Sequence, residues 1–226
     1  MNIVQVLRPG DRPERDPMKP RRLEAADLAR IAVFTAIVAV LGLPGGLSVF
    51  GSVPITAQTL GVMLAGAVLG PWRGALSMIV LLILVAIGLP LLSGGRGGLG
   101  VFVGPSAGYL AGWIVGAFVI GLIVHGGPRL SRWRTILGIL VGGIVVIYAF
   151  GIPVQAFVTR LPLGPTALQS LVFLPGDLLK AAIAAAITMT LARAYPRAFR
   201  RREASTQAPV TVSAPADGER PAESIR

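Results

Sequence analysis

Asp177 and Lys180 stand three residues apart in a stretch with no other charge between Arg160 and Arg193. On a helix that spacing puts both on one face. A carboxylate beside an ammonium offers an acceptor for N–H donors and a cation that either neutralises it or donates onward. Pro175 suits a first helical turn, which places Asp177 near the positive end of the helix dipole. Charges inside an apolar span are costly and face a partner or a cavity. The plainer reading is a salt bridge that helps the helix insert, yet two apolar residues would do this with less desolvation. Arg96 is the other candidate. It is the only charge in residues 93–104 and is surrounded by Gly94, Gly95, Gly97, Gly98, Gly100 and Gly104. These glycines allow close backbone approach to a ligand, and a guanidinium suits a carboxylate. Thr56, Gln58, Thr59 and Tyr109 add polar groups, with ordinary hydrogen bonding within a bundle as the alternative for each.

Two other patterns fail on context. Residues 95–100 read G-R-G-G-L-G, but the dinucleotide fingerprint works only between a strand and a helix of a βαβ unit. Residues 104–108 read G-P-S-A-G, the form of a serine-hydrolase elbow, and such a serine needs a nearby base. The single histidine, His125, falls roughly 28 Å along the same helix from Ser106 at 1.5 Å per residue. An intramembrane enzyme therefore lacks its base. There is no Walker A pattern, so the chain does not itself hydrolyse ATP.

The elements that hold these residues are apolar. Of 226 residues 54% are hydrophobic and only 14% charged, against about a quarter in soluble domains. Apart from Asp177, every acidic residue lies in 1–27 or 203–226. The middle must face lipid. A net charge of +11 raises nucleic acid as a partner, but the basic residues flank apolar runs instead of forming a patch with interleaved aromatics. With no cysteine, disulfide, zinc and iron–sulfur frameworks are excluded.

Six runs approach the roughly 20 residues that cross a bilayer. They cover 23–43, 54–70, 72–89, 106–125, 133–152 and 175–193, with breaks at Pro44, Gly70-Pro71, Pro90, Gly126-Gly127-Pro128 and Pro153. Residues 154–174, interrupted by Pro162 and Pro165, read as a loop with a short helix. Residues 1–23 read as a polar cytoplasmic arm without a signal-peptide core, and 195–226 as a disordered cytoplasmic tail. With both termini inside, only Arg96, Arg160 and the intramembrane Lys180 among 21 basic residues fall away from the cytoplasmic side, as the positive-inside rule requires. The expected fold is an all-α membrane protein, a bundle of six transmembrane helices over 24–194. Lys180 then lies about 20 Å from the inner end of its helix, in the outer half. In the first span Ala32 and Ala36 form a small-xxx-small pair that permits close helix contact.

Together these segments resemble the BioY family, the biotin-specific S components of energy-coupling factor (ECF) transporters. The resemblance rests on PITAQTLGVMLAGAVLGPWRGAL (54–76), GLP (88–90), GGRGGLGVFVGPSAGYLAGW (94–113), GIP (151–153) and FLPGDLLKA (173–181). It implies a membrane subunit that captures biotin at the outer face for ATP-driven import by partner subunits, with no cofactor of its own. It also implies that Arg96, Asp177 and Lys180 face biotin. Asp177 would accept from the ureido N–H groups, Arg96 would pair with the valerate carboxylate, and Lys180 would neutralise Asp177 or donate to biotin. Thr56, Gln58 and Tyr109 would add polar contacts; by their chemistry Leu110 and Trp113 suit apolar walls and a lipid-facing position equally well. Ala32 and Ala36 would contact the transmembrane coupling subunit, which joins the ATP-binding subunits.

The chain departs from the family at two places. The usual GPTGGY reads GPSAGY over 104–109, and Leu81, Leu82 and Val85 stand where polar or small residues are usual. An S component for another vitamin and an uptake protein that works without ATPase partners are the remaining alternatives.

Overall fold

The computed structural model describes residues 24–46, 53, 55–127 and 130–195. The arm expected over 1–23 and the tail beyond Tyr195 lie outside the described residues. Among those described there is no strand, and the chain runs through α1 (Ala25–Val40), α2 (Gln58–Leu69), α3 (Pro71–Ala86), α4 (Ala107–His125), α5 (Arg132–Leu140), α6 (Ile147–Thr159), α7 (Leu163–Ser170) and α8 (Leu174–Ala194). A wide π turn, Val141–Val146, makes α5 and α6 one continuous helix, while a 3-10 turn, Leu171–Phe173, carries α7 into α8. Three stretches are long and apolar enough to cross a membrane: Ala107–His125, Arg132–Thr159 and Leu163–Ala194. The helices α2 and α3 are apolar but shorter, at 12 and 16 residues.

One end of the molecule is tied together by polar side chains. Asp27, in the first turn of α1, pairs with Arg73 in the first turn of α3 at 3.1 Å and with Arg30 at 3.6 Å. His125, the last residue of α4, lies 2.9 Å from the carbonyl of Ala67 near the end of α2. Between α2 and α3 there is one residue, Gly70. Its φ of +83° with ψ of −178° is a positive-φ conformation open essentially to glycine alone, and Pro71 opens the next helix at once. Thus α1, α3 and α5 begin at this end, while α2, α4 and α8 begin at the other.

The helices approach closely because small residues line their crossings. Along α4, Gly108, Gly112 and Gly116 are spaced by four and face the α5–α6 helix. A Cβ at Gly112 would sit 3.0 Å from the Cα of Ile147, and one at Gly116 would sit 2.6 Å from the carbonyl of Gly142. Met63, Met78, Leu81, Ile120 and Ile139 fill the interior. The outside is apolar too, with Trp72, Phe157, Leu168 and Leu179 all mostly exposed. Such a surface needs hydrocarbon around it.

Two boundaries differ from the sequence reading. Pro153 does not end the fifth run, and α6 continues through it to Thr159. Proline removes one backbone donor, which packed neighbouring helices tolerate in a membrane bundle. The actual stop is Arg160, whose φ of +56° closes the helix in a left-handed cap, followed by Pro162. The region expected as a loop with a short helix is therefore mostly helical, and α7 is the short helix.

Candidate ligand-binding site

The site is assembled at the end where α2, α4 and α8 begin, opposite the Asp27–Arg73 pair. The turn between α3 and α4 folds back first. Leu92 and Arg96 exchange both backbone hydrogen bonds, at 3.0 and 3.2 Å, across Ser93, Gly94 and Gly95. Both glycines have φ near +70°, at 75° and 71°, so residues with a Cβ would strain this hairpin. Nε of Arg96 donates to the Ser93 carbonyl at 3.1 Å, which fixes the stem of the side chain. Among the described residues no carboxylate pairs with its guanidinium.

Gln58, the first residue of α2, holds the base of that hairpin. Its Nε2 donates to the carbonyls of Val38 at 3.2 Å and Leu91 at 3.1 Å, and its Oε1 accepts from the Ser93 N–H at 3.1 Å. The residue is 1% exposed. Its amide is spent on backbone, so Gln58 positions the Arg96 turn instead of offering a free polar group.

Asp177 is 4% exposed and sits in the first turn of α8. Its Oδ1 accepts from Nζ of Lys180 at 2.9 Å and from the Thr59 hydroxyl at 3.3 Å, while Oδ2 accepts from the Tyr148 hydroxyl at 2.7 Å. Lys180 also donates to Thr59 at 3.0 Å. Three helices therefore meet on one carboxylate, which keeps a buried charge satisfied. Tyr148 escaped the sequence reading. A tyrosine within an apolar helix looks like core, and only its register opposite Asp177 distinguishes it.

Tyr109 is buried among Tyr148 and Phe173, with edge-to-face ring contacts to both. Its hydroxyl donates to Oε1 of Gln155 at 2.9 Å and lies 3.1 Å from Oγ of Ser170. That ties α4 to α6 and α7 and leaves the ring to form wall.

These parts surround one cavity of about 600 Å³, counted out to and including its open mouth. Arg96, Thr56, Thr59, Tyr148, Asp177 and Lys180 line it with the apolar Leu92, Leu110, Trp113 and Phe173. Gln58 and Tyr109 also line it, and Ser106 stands at the start of α4. Leu81, Leu82 and Val85 of α3 are instead buried in the core. Arg160 is exposed at the α6 cap and is not part of the lining. Ala32 and Ala36 are exposed on the outer face of α1, away from the cavity. Among the described residues no group of His, Asp or Glu is arranged to hold a metal.

Among the described residues, fold and site define a helical membrane protein with a polar-and-apolar cavity opening at one end. The BioY family model matches residues 16–197, and the chain belongs to the BioY family. It is 48% identical over 181 residues to the biotin transporter BioY of Rhizobium etli, a match covering 77% of this chain and 97% of that one. It is 47% identical over 173 residues to the probable biotin transporter BioY of Bacillus subtilis, covering 76% and 93%. The crystal structure of the S-component for biotin from an ECF-type ABC transporter superposes with a TM-score of 0.72 at 32% identity, covering 78% of this chain and 95% of that one. These relatives are named as transporters or transporter components. The protein is a multi-pass membrane protein.

Proposed function

We propose that this chain is the biotin-binding S component of an ECF-type uptake transporter. The observation that carries this reading is a single cavity that combines a glycine-held cation, Arg96, with a buried carboxylate–ammonium pair, Asp177–Lys180, between apolar walls. Biotin presents a matching set of groups. Its ureido ring has two N–H donors and a carbonyl, its sulfur ring is apolar, and its valerate chain ends in a carboxylate. Asp177, held by Tyr148 and Thr59, accepts from a ureido N–H with its remaining lone pair. Lys180 balances the charge, and Arg96 receives the valerate carboxylate. Leu110 and Trp113 cover the apolar ring.

The topology that accompanies this function is six spans over 24–194 with both termini cytoplasmic. The described helices alternate direction in support of it, and Arg30, Arg73, Arg132, Arg134 and Arg193 all fall on the Asp27–Arg73 end. That end is the cytoplasmic one by the positive-inside rule, so the cavity opens outward. Ala32 and Ala36, exposed on α1, serve as the docking face for a transmembrane coupling subunit, through which ATP-binding subunits drive release. The test is equilibrium binding of radiolabelled biotin to the purified chain in detergent without ATP. Saturable biotin binding is the expected result. Binding of thiamine or riboflavin with none of biotin overturns the reading.

A further inference from the structure

Serine and threonine hydroxyls in this bundle have a common habit. Thr35, Thr135, Thr159, Thr166, Ser170 and Thr190 each donate to the carbonyl four residues earlier, and Ser77 to the one three earlier. That is the usual way for a helix in an apolar medium to satisfy a hydroxyl. Ser106 does not follow it. It occupies the cap position of α4, where a serine ordinarily accepts from a backbone N–H one turn on, yet it makes no side-chain cap bond. The residue is 7% exposed, and its Oγ is buried with no hydrogen-bond partner among the described residues. Ser93 and Thr188 also carry such hydroxyls, but only Ser106 lines the cavity that holds Arg96 and Asp177.

An orphaned buried hydroxyl is unfavourable, and it persists where something else supplies the missing bond. At Ser106 the surroundings name the chemistry. The hydroxyl sits at the amino end of a 19-residue helix, whose dipole and unpaired first-turn N–H groups favour an anion. Among the described residues no backbone carbonyl accepts from the N–H of Gly108 or Tyr109. Arg96 brings a full positive charge to the same cavity, while the carboxylate Asp177 is engaged by Tyr148, Thr59 and Lys180.

We infer that the Ser106 hydroxyl is a direct ligand contact, donating at the amino end of α4 to the carboxylate of the bound acid that Arg96 also engages. This rests on the biotin reading above and adds to it a second recognition group for the acid. The hydroxyl then discriminates a free carboxylate from its neutral derivatives.

The test compares two ligands, biotin and biotin methyl ester, on the purified full-length protein in detergent, with thermal stability of each ligand-free variant measured alongside. Ser106→Ala should weaken biotin about ten- to a hundredfold, as loss of a hydrogen bond to a charged group does. Ester affinity should change far less. Ser106→Thr, which keeps the hydroxyl, should retain most of the biotin affinity. The ligand-free Ser106→Ala protein should be at least as stable as wild type, because an unpaired polar group has been removed. Equal losses for both ligands, or unchanged biotin affinity in Ser106→Ala, overturn the inference while leaving biotin binding by the chain intact. Failure of the wild-type protein to bind biotin at all overturns the functional reading, and the inference with it.

Discussion

The hydroxyl of Tyr148 donates to Oδ2 of Asp177 at 2.7 Å, across the gap between α6 and α8. With Lys180 and Thr59 on Oδ1, the carboxylate is anchored from three directions. A carboxylate held this way has one acceptor position left, on Oδ2, and that position is fixed in orientation for a single further N–H donor.

Replacing Asp177 with Asn tests that orientation and charge together. The change keeps size and one acceptor but removes the charge that strengthens the ligand's hydrogen bonds. Charge-assisted bonds contribute about 1.5–3 kcal/mol, so biotin affinity should fall roughly ten- to a hundredfold. Lys180 also loses its partner, and thermal stability should drop. Were the pair only a device for inserting the helix, stability would fall while the affinity of the folded fraction stayed the same.

Gln58 makes a different kind of prediction. Gln58→Met has similar bulk but removes the bonds to Val38, Leu91 and Ser93 that seat the Arg96 hairpin. Each such bond contributes about 1 kcal/mol. Biotin should bind more weakly, and amide hydrogen exchange should rise across 91–98. Weaker binding with unchanged exchange there would assign the Gln58 amide to the ligand instead.

On the outer face of α1, Ala32→Trp and Ala36→Trp place bulk where the described chain has no packing of its own. Both variants should fold and bind biotin normally. Co-purification with the transmembrane coupling subunit should be lost, since close helix approach depends on small residues. Normal co-purification of both would place the docking face elsewhere.

Inside the bundle, Gly116→Val should be far more damaging than either alanine change. Its side chain would meet the Gly142 carbonyl and the Ile147 side chain, forcing α4 away from the α5–α6 helix. Overpacking of this kind costs about 1–3 kcal/mol or more. The expected outcome is a lower unfolding temperature in detergent, with ligand affinity reduced because Tyr148 lies just beyond the crossing.

The contrast between residues that announced themselves and residues that did not has a physical basis. Asp177, Lys180 and Arg96 stand out in the sequence because a charge in an apolar stretch has few reasons to be there, and the structure places all three on one cavity. Tyr148 and Gln155 carry no such signal, since one is aromatic and both lie in a helix where polar atoms are read as incidental. Gln58 was visible as a polar residue, but its work on the backbone of the Arg96 hairpin depends on a tertiary approach that spacing does not encode. Pro153 misled because the rule that proline stops a helix holds for chains that can leave into water, whereas here Pro153 lies on the exposed, apolar face of a helix whose other face packs through Gly151 on Tyr109. The glycines at 108, 112 and 116 spell out a crossing, yet in a chain with 29 glycines the spacing is lost among many others.

The wide turn at Val141–Val146 sets a rotational phase. A π turn holds one residue more than the regular helix would, and each residue advances a helix by about 100°. Everything from Ile147 onward is thus rotated relative to the face that α5 presents, and that offset points Tyr148 at Asp177. Removing a single residue from this turn would restore a uniform helix and swing the tyrosine a quarter-turn or more away, although the site would still contain every one of its residues. At this point in the chain, the number of residues carries the binding geometry as much as their identity does.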